Sequence, residues 1–186
     1  MPTPNIPNVP GQPKEMEGVE KALLALSYGV HVIGSRAADG SMNAMLADWV
    51  MQVSFKPRLV AVAIENDART LRYIKQTNVF SVNLLHEKDG LEIARQVVMP
   101  AEGRKIKGRS EEAAATIHDK LAGIPYALAS NQCPVLDQSL GWFICDVEKM
   151  TEAGDHTIVI GRATDGEILR SGEMLIERDL GWEYGG

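Results

Sequence analysis

The chain has few of the residues that build disulfide scaffolds or metal centres. Its 186 residues include two cysteines, Cys133 and Cys145, and no C-x-x-C pair, so neither a disulfide framework nor a zinc site of the usual spacing is expected. The four histidines are scattered without metal-ligand spacing, which predicts no metal site. We expect His31 to be a satisfied barrel residue and His86 and His118 to lie at the surface. Reduced thiols favour a cytoplasmic protein.

A basic charge excess and long apolar runs are also missing. The formal net charge is -6 and the pI is about 5.3, so no nucleic-acid partner is expected. No apolar run reaches the length that spans a bilayer. Residues 1–13 carry five prolines but no signal-peptide pattern, which predicts neither a leader nor a membrane anchor. We interpret residues 1–13 as an extended arm, either a disordered tail or a segment packed on a partner subunit.

Several catalytic fingerprints are absent too. No G-x-G-x-x-G follows a strand pattern, and no G-x-S-x-G is present. Residues 103–110 come close to a phosphate-binding P-loop, but arginine stands where lysine is required and no apolar strand precedes them. A solvated basic loop is the better interpretation of this segment.

What remains is the pattern of one globular domain, residues 14–186, with 45% hydrophobic and 24% charged residues. Helical periodicity begins at Lys14 and recurs over 69–76, 87–96 and about 111–121. Alternating or β-branched runs predict strands over 28–35, 42–55, 59–64, 79–85, 140–149, 156–163 and 168–176. Because residues 59–64 are continuously apolar, we expect that strand to be buried on both faces. Many strands, few helices and hairpin turns at 37–41 and 152–155 predict a mainly β fold with flanking helices, an antiparallel closed or nearly closed barrel.

Four segments, in order along the chain, carry a family resemblance. The first is Asn43-Ala44-Met45-Leu46-Ala47-Asp48-Trp49, with Val53-Ser54 and Pro57 after it. The others are Asn66-Asp67-Ala68-Arg69-Thr70, Phe80-Ser81-Val82-Asn83-Leu84-Leu85 and Gly154-Asp155-His156-Thr157. Together they resemble the flavin reductase-like family, the FMN-binding split barrels, over about residues 19–163. The family pattern in the first segment is Asn or Gly, a small residue, Met, then Thr-Ala-Ser-Trp. Here Leu46 replaces the threonine and Asp48 the serine.

The residues themselves suggest a cofactor pocket, because such pockets combine an apolar slot with a few polar anchors. Met45, Trp49 and Val53 are candidates to line a slot, with a place in a core strand as the alternative. Ser54, Arg69, Thr70 and Asn83 are candidates for phosphate contacts, with turn and cap roles as the alternative. The resemblance implies FMN, with FAD as an alternative, and the following cofactor-binding residues: Asn43, Ala44, Met45, Leu46, Ala47, Asp48, Trp49, Ser54, Arg69, Thr70, Asn83 and Leu84.

The resemblance further implies an oxidoreductase that transfers hydride from NAD(P)H to flavin. His156 is the catalytic candidate, placed beside the nicotinamide. The alternatives are a flavoredoxin-like electron-transfer protein without a nicotinamide site, or a split-barrel binding module without flavin. We also expect a homodimer in which residues 104–109 and 181–184 help to close the partner's site. Flavin and nicotinamide are the expected small-molecule partners, and an electron acceptor protein or an oxygenase is the expected consumer.

Overall fold

A computed structural model describes residues 18–99 and 118–180 of the chain. The predicted arm at 1–13, the P-loop-like segment at 103–110 and the C-terminal residues 181–184 lie outside the described residues. Most of the helix predicted over 111–121 lies outside them as well.

The described residues form nine strands and three α-helices, followed by a short 3-10 helix at Glu177–Leu180. In chain order the elements are α1 (Gly18–Leu23), β1 (His31–Arg36), β2 (Met42–Ala47), β3 (Val50–Ser54), β4 (Leu59–Glu65), α2 (Arg69–Thr77), β5 (Val79–Leu84), α3 (Gly90–Val97), β6 (Tyr126–Leu128), β7 (Pro134–Leu136), β8 (Gly141–Ala153) and β9 (His156–Ile168).

Seven strands make one antiparallel sheet in the order β2-β1-β5-β8-β9-β4-β3, and β6 pairs with β7 in a small separate ribbon. The two edge strands, β2 and β3, are neighbours in the sequence and are joined only by Asp48 and Trp49. A connection of two residues forces the two edges of the sheet together at that end, so the sheet must curl into a barrel. The predicted mainly β, antiparallel split barrel is confirmed.

Two apolar clusters hold the barrel and its helices. The first packs Ile33, Val62 and Phe80 from the sheet against Leu71 and Ile74 of α2. The second lies on the other face of β1 and joins strand residues to α3 and to the C-terminal segment, residues 169–180. It includes Val32, Ala44, Ile93, Val97 and Leu175. Successive side chains of a strand point to opposite faces, and β1 supplies Val32 to one cluster and Ile33 to the other. This explains why nearly all of β1 is buried.

The predicted hairpin turns form where glycine supplies a left-handed backbone. Gly40 has φ of 89° and Gly154 has φ of 65°, values that favour glycine because it lacks a Cβ. Asp39 Oδ1 accepts a hydrogen bond of 2.9 Å from the Ser41 amide, which fixes the first turn.

Three strand predictions are wrong. Residues 42–55 are two strands, because the chain turns at Asp48, whose carbonyl accepts a 2.8 Å bond from the Val50 amide. Strand β4 is not buried on both faces: Val60, Val62 and Ile64 are buried, while the alternate residues are half-buried. Residues 169–176 are not a strand, since β9 ends at Ile168 and beyond it only isolated bridges form.

Of the three histidine predictions, those for His31 and His118 are confirmed and that for His86 is wrong. His31 is buried and its Nδ1 donates to the Ala47 carbonyl at 3.3 Å, as expected of a satisfied barrel residue. His118 is exposed, as predicted. The surface assignment of His86 is wrong: its Nδ1 accepts from the Lys88 amide at 3.1 Å, so its Nε2–H donates to the Ser171 carbonyl at 3.2 Å, and the ring is buried under the C-terminal segment.

Both cysteines are free and buried, and burial raises the pKa of each thiol to about 12. Within residues 18–99 and 118–180, no group of His, Cys, Asp and Glu side chains could hold a metal ion. No helix in those ranges combines the length and apolar composition that a bilayer crossing requires.

Candidate functional site

A cavity of about 290 Å³ lies where the barrel edges meet, at the β2–β3 connection. Strand β2 and the connection form one wall, the end of β4 and the start of α2 form another, and His156 at the start of β9 completes the mouth. Val97 and Val98 at the end of α3, together with Leu180, add apolar surface. The cavity therefore depends on the barrel closure rather than on any single element.

Asp48 places a carboxylate in this cavity. Its Oδ2 is buried and has no hydrogen-bond partner among the described residues. Burial raises the pKa of the Asp48 carboxyl above its ordinary value, and this effect is opposed by the backbone N–H groups of Asp48 and Trp49 and by the nearby His156. A buried acceptor without a partner is costly, so this oxygen is a candidate contact for a ligand donor or a proton.

His156 is held in a defined position at the mouth. Its Nδ1 bonds to Asp155 Oδ1 at 2.6 Å, and its ring lies 5.0 Å from the Trp49 ring, centroid to centroid, with a 40° tilt. The Asp155 carboxylate is almost fully exposed, and its bond to His156 holds the pKa of that carboxyl below its ordinary value. Since Asp155 occupies Nδ1, the imidazole nitrogen that can meet a ligand is Nε2.

Asn66 ties the β8–β9 hairpin tip to the start of α2. Its Oδ1 accepts from the Thr157 hydroxyl at 2.7 Å, its Nδ2 donates to the Gly154 carbonyl at 3.1 Å, and its backbone amide donates to the Asp155 carbonyl at 2.9 Å. These bonds surround His156 in the sequence, so they fix where its ring points. We refer to this set of bonds as the Asn66 clamp.

The first turn of α2 faces the cavity through Ala68, Arg69 and Thr70. Ala68 supplies no side-chain cap, and the first turn contains no acidic residue. A helix start of this kind presents backbone N–H groups and a partial positive charge, which suit an anion. Thr70 Oγ1 accepts a 2.8 Å bond from Asn43 Nδ2, and both side chains are buried. This pair fixes the helix start against β2.

The structure brings most of the predicted site residues together. The lining includes Asn43, Met45, Leu46, Ala47, Asp48, Trp49, Arg69, Thr70 and His156. Four predicted residues are not part of it: Ala44, Ser54, Asn83 and Leu84. Val53, a candidate for the apolar slot, is also elsewhere, half-exposed on the edge strand β3.

Physical reasons explain these displaced positions. Ala44 is fully buried in the cluster beneath α3. Asn83 is fully buried and ties strands together, because its Nδ2 donates to the Val32 carbonyl at 3.0 Å and its Oδ1 accepts from the Leu136 amide at 2.7 Å. Leu84 packs against the apolar cluster that contains Ile33 and Phe80. Ser54 is the last residue of β3 and lies beyond the cavity.

Sequence reasoning missed other lining residues. Glu65, Lys120, Glu177 and Leu180 line the cavity, and all but Glu65 lie far along the chain from the motif segments. Lys120 is buried, so its charge is taken out of water at the wall. No local pattern marks Lys120, Glu177 and Leu180, since only the packing of distant segments on the barrel brings them to the cavity.

The fold and this cavity agree with comparisons to known proteins. A family model described as flavin reductase like domain matches residues 23–179, and the chain therefore belongs to that family. It is 30% identical over 156 residues to a high molecular weight rubredoxin of Moorella thermoacetica, covering 83% of this chain and 62% of that protein. It is 27% identical over 148 residues to a flavin reductase of Pseudomonas putida, covering 80% and 77%.

A solved structure shows the same fold. The NADH:FAD oxidoreductase SgcE6 of Streptomyces globisporus C-1027, in complex with NAD and FAD fragments, superposes with a TM-score of 0.69 at 19% identity, covering 85% of each chain. The chain spans about 62% of the length of the Moorella relative, so that protein contains sequence beyond the matched region. The family assignment establishes the flavin reductase-like fold for residues 23–179.

Proposed function

We propose that this protein binds FMN in the β2–β3 cavity and reduces it with NADH or NADPH. The observation that carries the proposal is the pairing of an apolar wall, built from Met45, Leu46 and Trp49, with the uncapped start of α2 at the same cavity. The apolar wall suits a planar ring, and the start of α2 suits a phosphate. FAD, which also carries phosphate, is the alternative flavin, in keeping with the name of the SgcE6 relative.

A bound flavin supplies the hydride-accepting chemistry, and the protein supplies position and electrostatics. Trp49 and Met45 exclude water from one side of the cavity, and the Asn66 clamp holds His156 at the mouth. We expect His156 Nε2 to orient the carboxamide of a nicotinamide, while the Asp155 contact at Nδ1 holds the ring in position. Reacting atoms must approach to about 3–3.5 Å, so an open mouth matters more here than a general acid or base.

Arg69 gives the sharpest test of the binding mode. FMN and riboflavin share a ring, but only FMN carries a phosphate. Arg69→Gln should weaken FMN binding about tenfold or more, the scale of one charge-assisted hydrogen bond, and leave riboflavin binding unchanged, as measured by quenching of flavin fluorescence. Arg72→Gln is the matched control, because Arg72 lies on the same helix, is exposed and does not line the cavity. Equal losses for both flavins would contradict a phosphate contact, and absence of flavin binding by the unaltered protein would remove the proposal and favour a flavin-free binding module.

The second candidate is a flavin-carrying electron-transfer protein without its own nicotinamide site. The similarity to a relative named as a rubredoxin favours it. Flavin retained through dialysis but not reduced by either nicotinamide would select this candidate, whereas rapid nicotinamide-dependent reduction would select the reductase. In either case the electrons pass to an acceptor protein or an oxygenase.

We also propose a homodimer. Strand β3 is a sheet edge, and Met51 on it and Phe55 directly after it are 64% and 84% exposed. An uncovered apolar edge strand invites pairing with another chain. Trp49, one residue before β3, lines the cavity, so a second copy on this edge would also border the flavin site.

A further inference from the structure

The Asp48 carboxylate is the feature of this cavity that the proposed hydride transfer does not use. It occupies the connection that closes the barrel, its Oδ2 is buried, and no described residue donates to that oxygen. In the family pattern that the first motif segment resembles, serine stands at this position, so Asp48 offers a carboxylate in place of a hydroxyl. Asp48 lies in the wall of the cavity in which the flavin ring is proposed to bind.

The rest of the lining does not cancel this charge. Among the described residues, Asp48 is joined at the wall by three other acidic side chains, two cations and one imidazole: Glu65, Asp67, Glu177, Arg69, Lys120 and His156. Arg69 is the first residue of α2 and lies where the phosphate is proposed to bind. Of these groups His156 interacts electrostatically with Asp48, and its imidazole offsets the carboxylate only when protonated. Acidic groups thus outnumber cations among the described residues that line the cavity.

We propose that Asp48 makes the bound flavin accumulate as the neutral reduced form rather than the anionic reduced form around neutral pH. This inference rests on the proposed flavin-binding function. The ionised Asp48 carboxylate beside the ring disfavours a second negative charge on it, and more strongly where water is excluded. Protonation of the reduced ring is therefore favoured. The second proton enters from solvent at the mouth of the cavity, beside His156 and the exposed Asp155.

The proton count distinguishes the two forms. Forming neutral reduced flavin consumes two electrons and two protons, whereas forming the anion consumes two electrons and one proton. In the enzyme the hydride of the dihydronicotinamide supplies both electrons and one proton equivalent, and solvent supplies the second proton. For a two-electron couple each proton changes the midpoint potential by about 30 mV per pH unit. The slope is therefore about 60 mV per pH unit for the neutral product and about 30 mV per pH unit for the anion.

The test is spectroelectrochemistry of the FMN-loaded protein across pH, comparing the unaltered chain with Asp48→Asn and Asp48→Ser. The change from the steep to the shallow slope should occur about one pH unit lower in both variants, a shift that one nearby charge accounts for. Absorbance of the fully reduced protein, which differs between neutral and anionic reduced flavin, should titrate over the same interval. The same comparison in a His156→Asn background removes the imidazole that interacts electrostatically with Asp48.

Glu65→Gln is the matched control, because it removes one negative charge from the same cavity wall. The proposal requires a larger shift for the Asp48 variants than for this control. A break at the same pH in all proteins, or an equal shift for Glu65→Gln, would overturn the role of Asp48. Fluorescence titration with FMN separates this failure from that of the proposed function: binding with an unchanged break rejects the Asp48 inference alone, and loss of FMN binding in the unaltered chain rejects both.

Discussion

His31 couples the stability of the barrel to pH. Burial lowers its pKa from 6.5 to about 4, against the weaker opposing effect of the Ala47 and Gly29 carbonyls. The unfolded chain therefore binds a proton between those values that the folded chain excludes, and stability falls as pH decreases through that window. Lowering the pH from about 7 to about 5 should reduce the free energy of unfolding by about 2 kcal/mol through this group.

Urea unfolding at both pH values measures this effect. His31→Gln keeps a polar side chain without a titrating ring, so its stability should depend less on pH by about that amount. His118→Gln is the control, because His118 is exposed and its replacement should leave the pH dependence of the unaltered protein intact. Parallel pH profiles for His31→Gln and the unaltered protein would contradict the argument.

At the residue scale, sequence reasoning placed side chains near the motif strand better than side chains that bridge elements. Met45, Asp48 and Trp49 lie within five consecutive residues, and all three line the cavity. Asn83 and His86 were misjudged because their hydrogen-bond partners, on β7 and in the C-terminal segment, lie about 50 or more residues away. A polar residue in an apolar strand indicates burial or function equally, and only the long-range partners distinguish the two.

The Asn66 clamp governs the hairpin that presents His156. Asn66→Ala removes one side-chain bond to the hairpin turn and one to β9, and each typically contributes about 1 kcal/mol. Local opening of residues 153–157 should then become about thirtyfold more frequent, visible as faster amide hydrogen exchange there. Gln52→Ala, which removes an exposed local bond on β3, should leave exchange in this hairpin unchanged. Unchanged exchange in Asn66→Ala would show that strand pairing alone holds His156.

At the element scale, the strands with glycine turns were predictable and the barrel closure was not. Asp39-Gly40 and Gly154-Asp155 mark their turns because positive φ favours glycine. The turn at Asp48-Trp49 contains neither glycine nor proline, so the alternation from Met42 to Phe55 appears continuous. The cavity nonetheless forms at this turn. The turn joins β2 to β3, the two edge strands of the sheet, and so brings the two edges together.

At the scale of the whole molecule, the exposed edge of β3 should set the oligomeric state. Met51→Lys places a charge on that edge and should convert a homodimer to a species near the 20.3 kDa mass of one chain, measured by light scattering. Ile168→Lys changes an apolar residue of similar exposure, 67%, on β9 and should leave the dimer intact. A mass of one chain for the unaltered protein would contradict the proposed dimer, and a dimer that persists in Met51→Lys would locate the interface elsewhere.

The fold class could be predicted because several motif segments in a fixed order are compatible with one topology. The family model likewise matches these segments together, over residues 23–179. The full cavity could not, because Lys120 and Glu177 reach it only through packing of distant segments.

The central claim is that nicotinamide delivers hydride to a flavin in the β2–β3 cavity, and stopped-flow spectroscopy tests it most directly. Protein loaded with FMN is mixed anaerobically with NADH or NADPH, and the loss of oxidised-flavin absorbance is followed. The account predicts reduction much faster than that of free FMN under the same conditions with at least one donor, and slower reduction in His156→Asn. Reduction no faster than that of free FMN with either donor would contradict it.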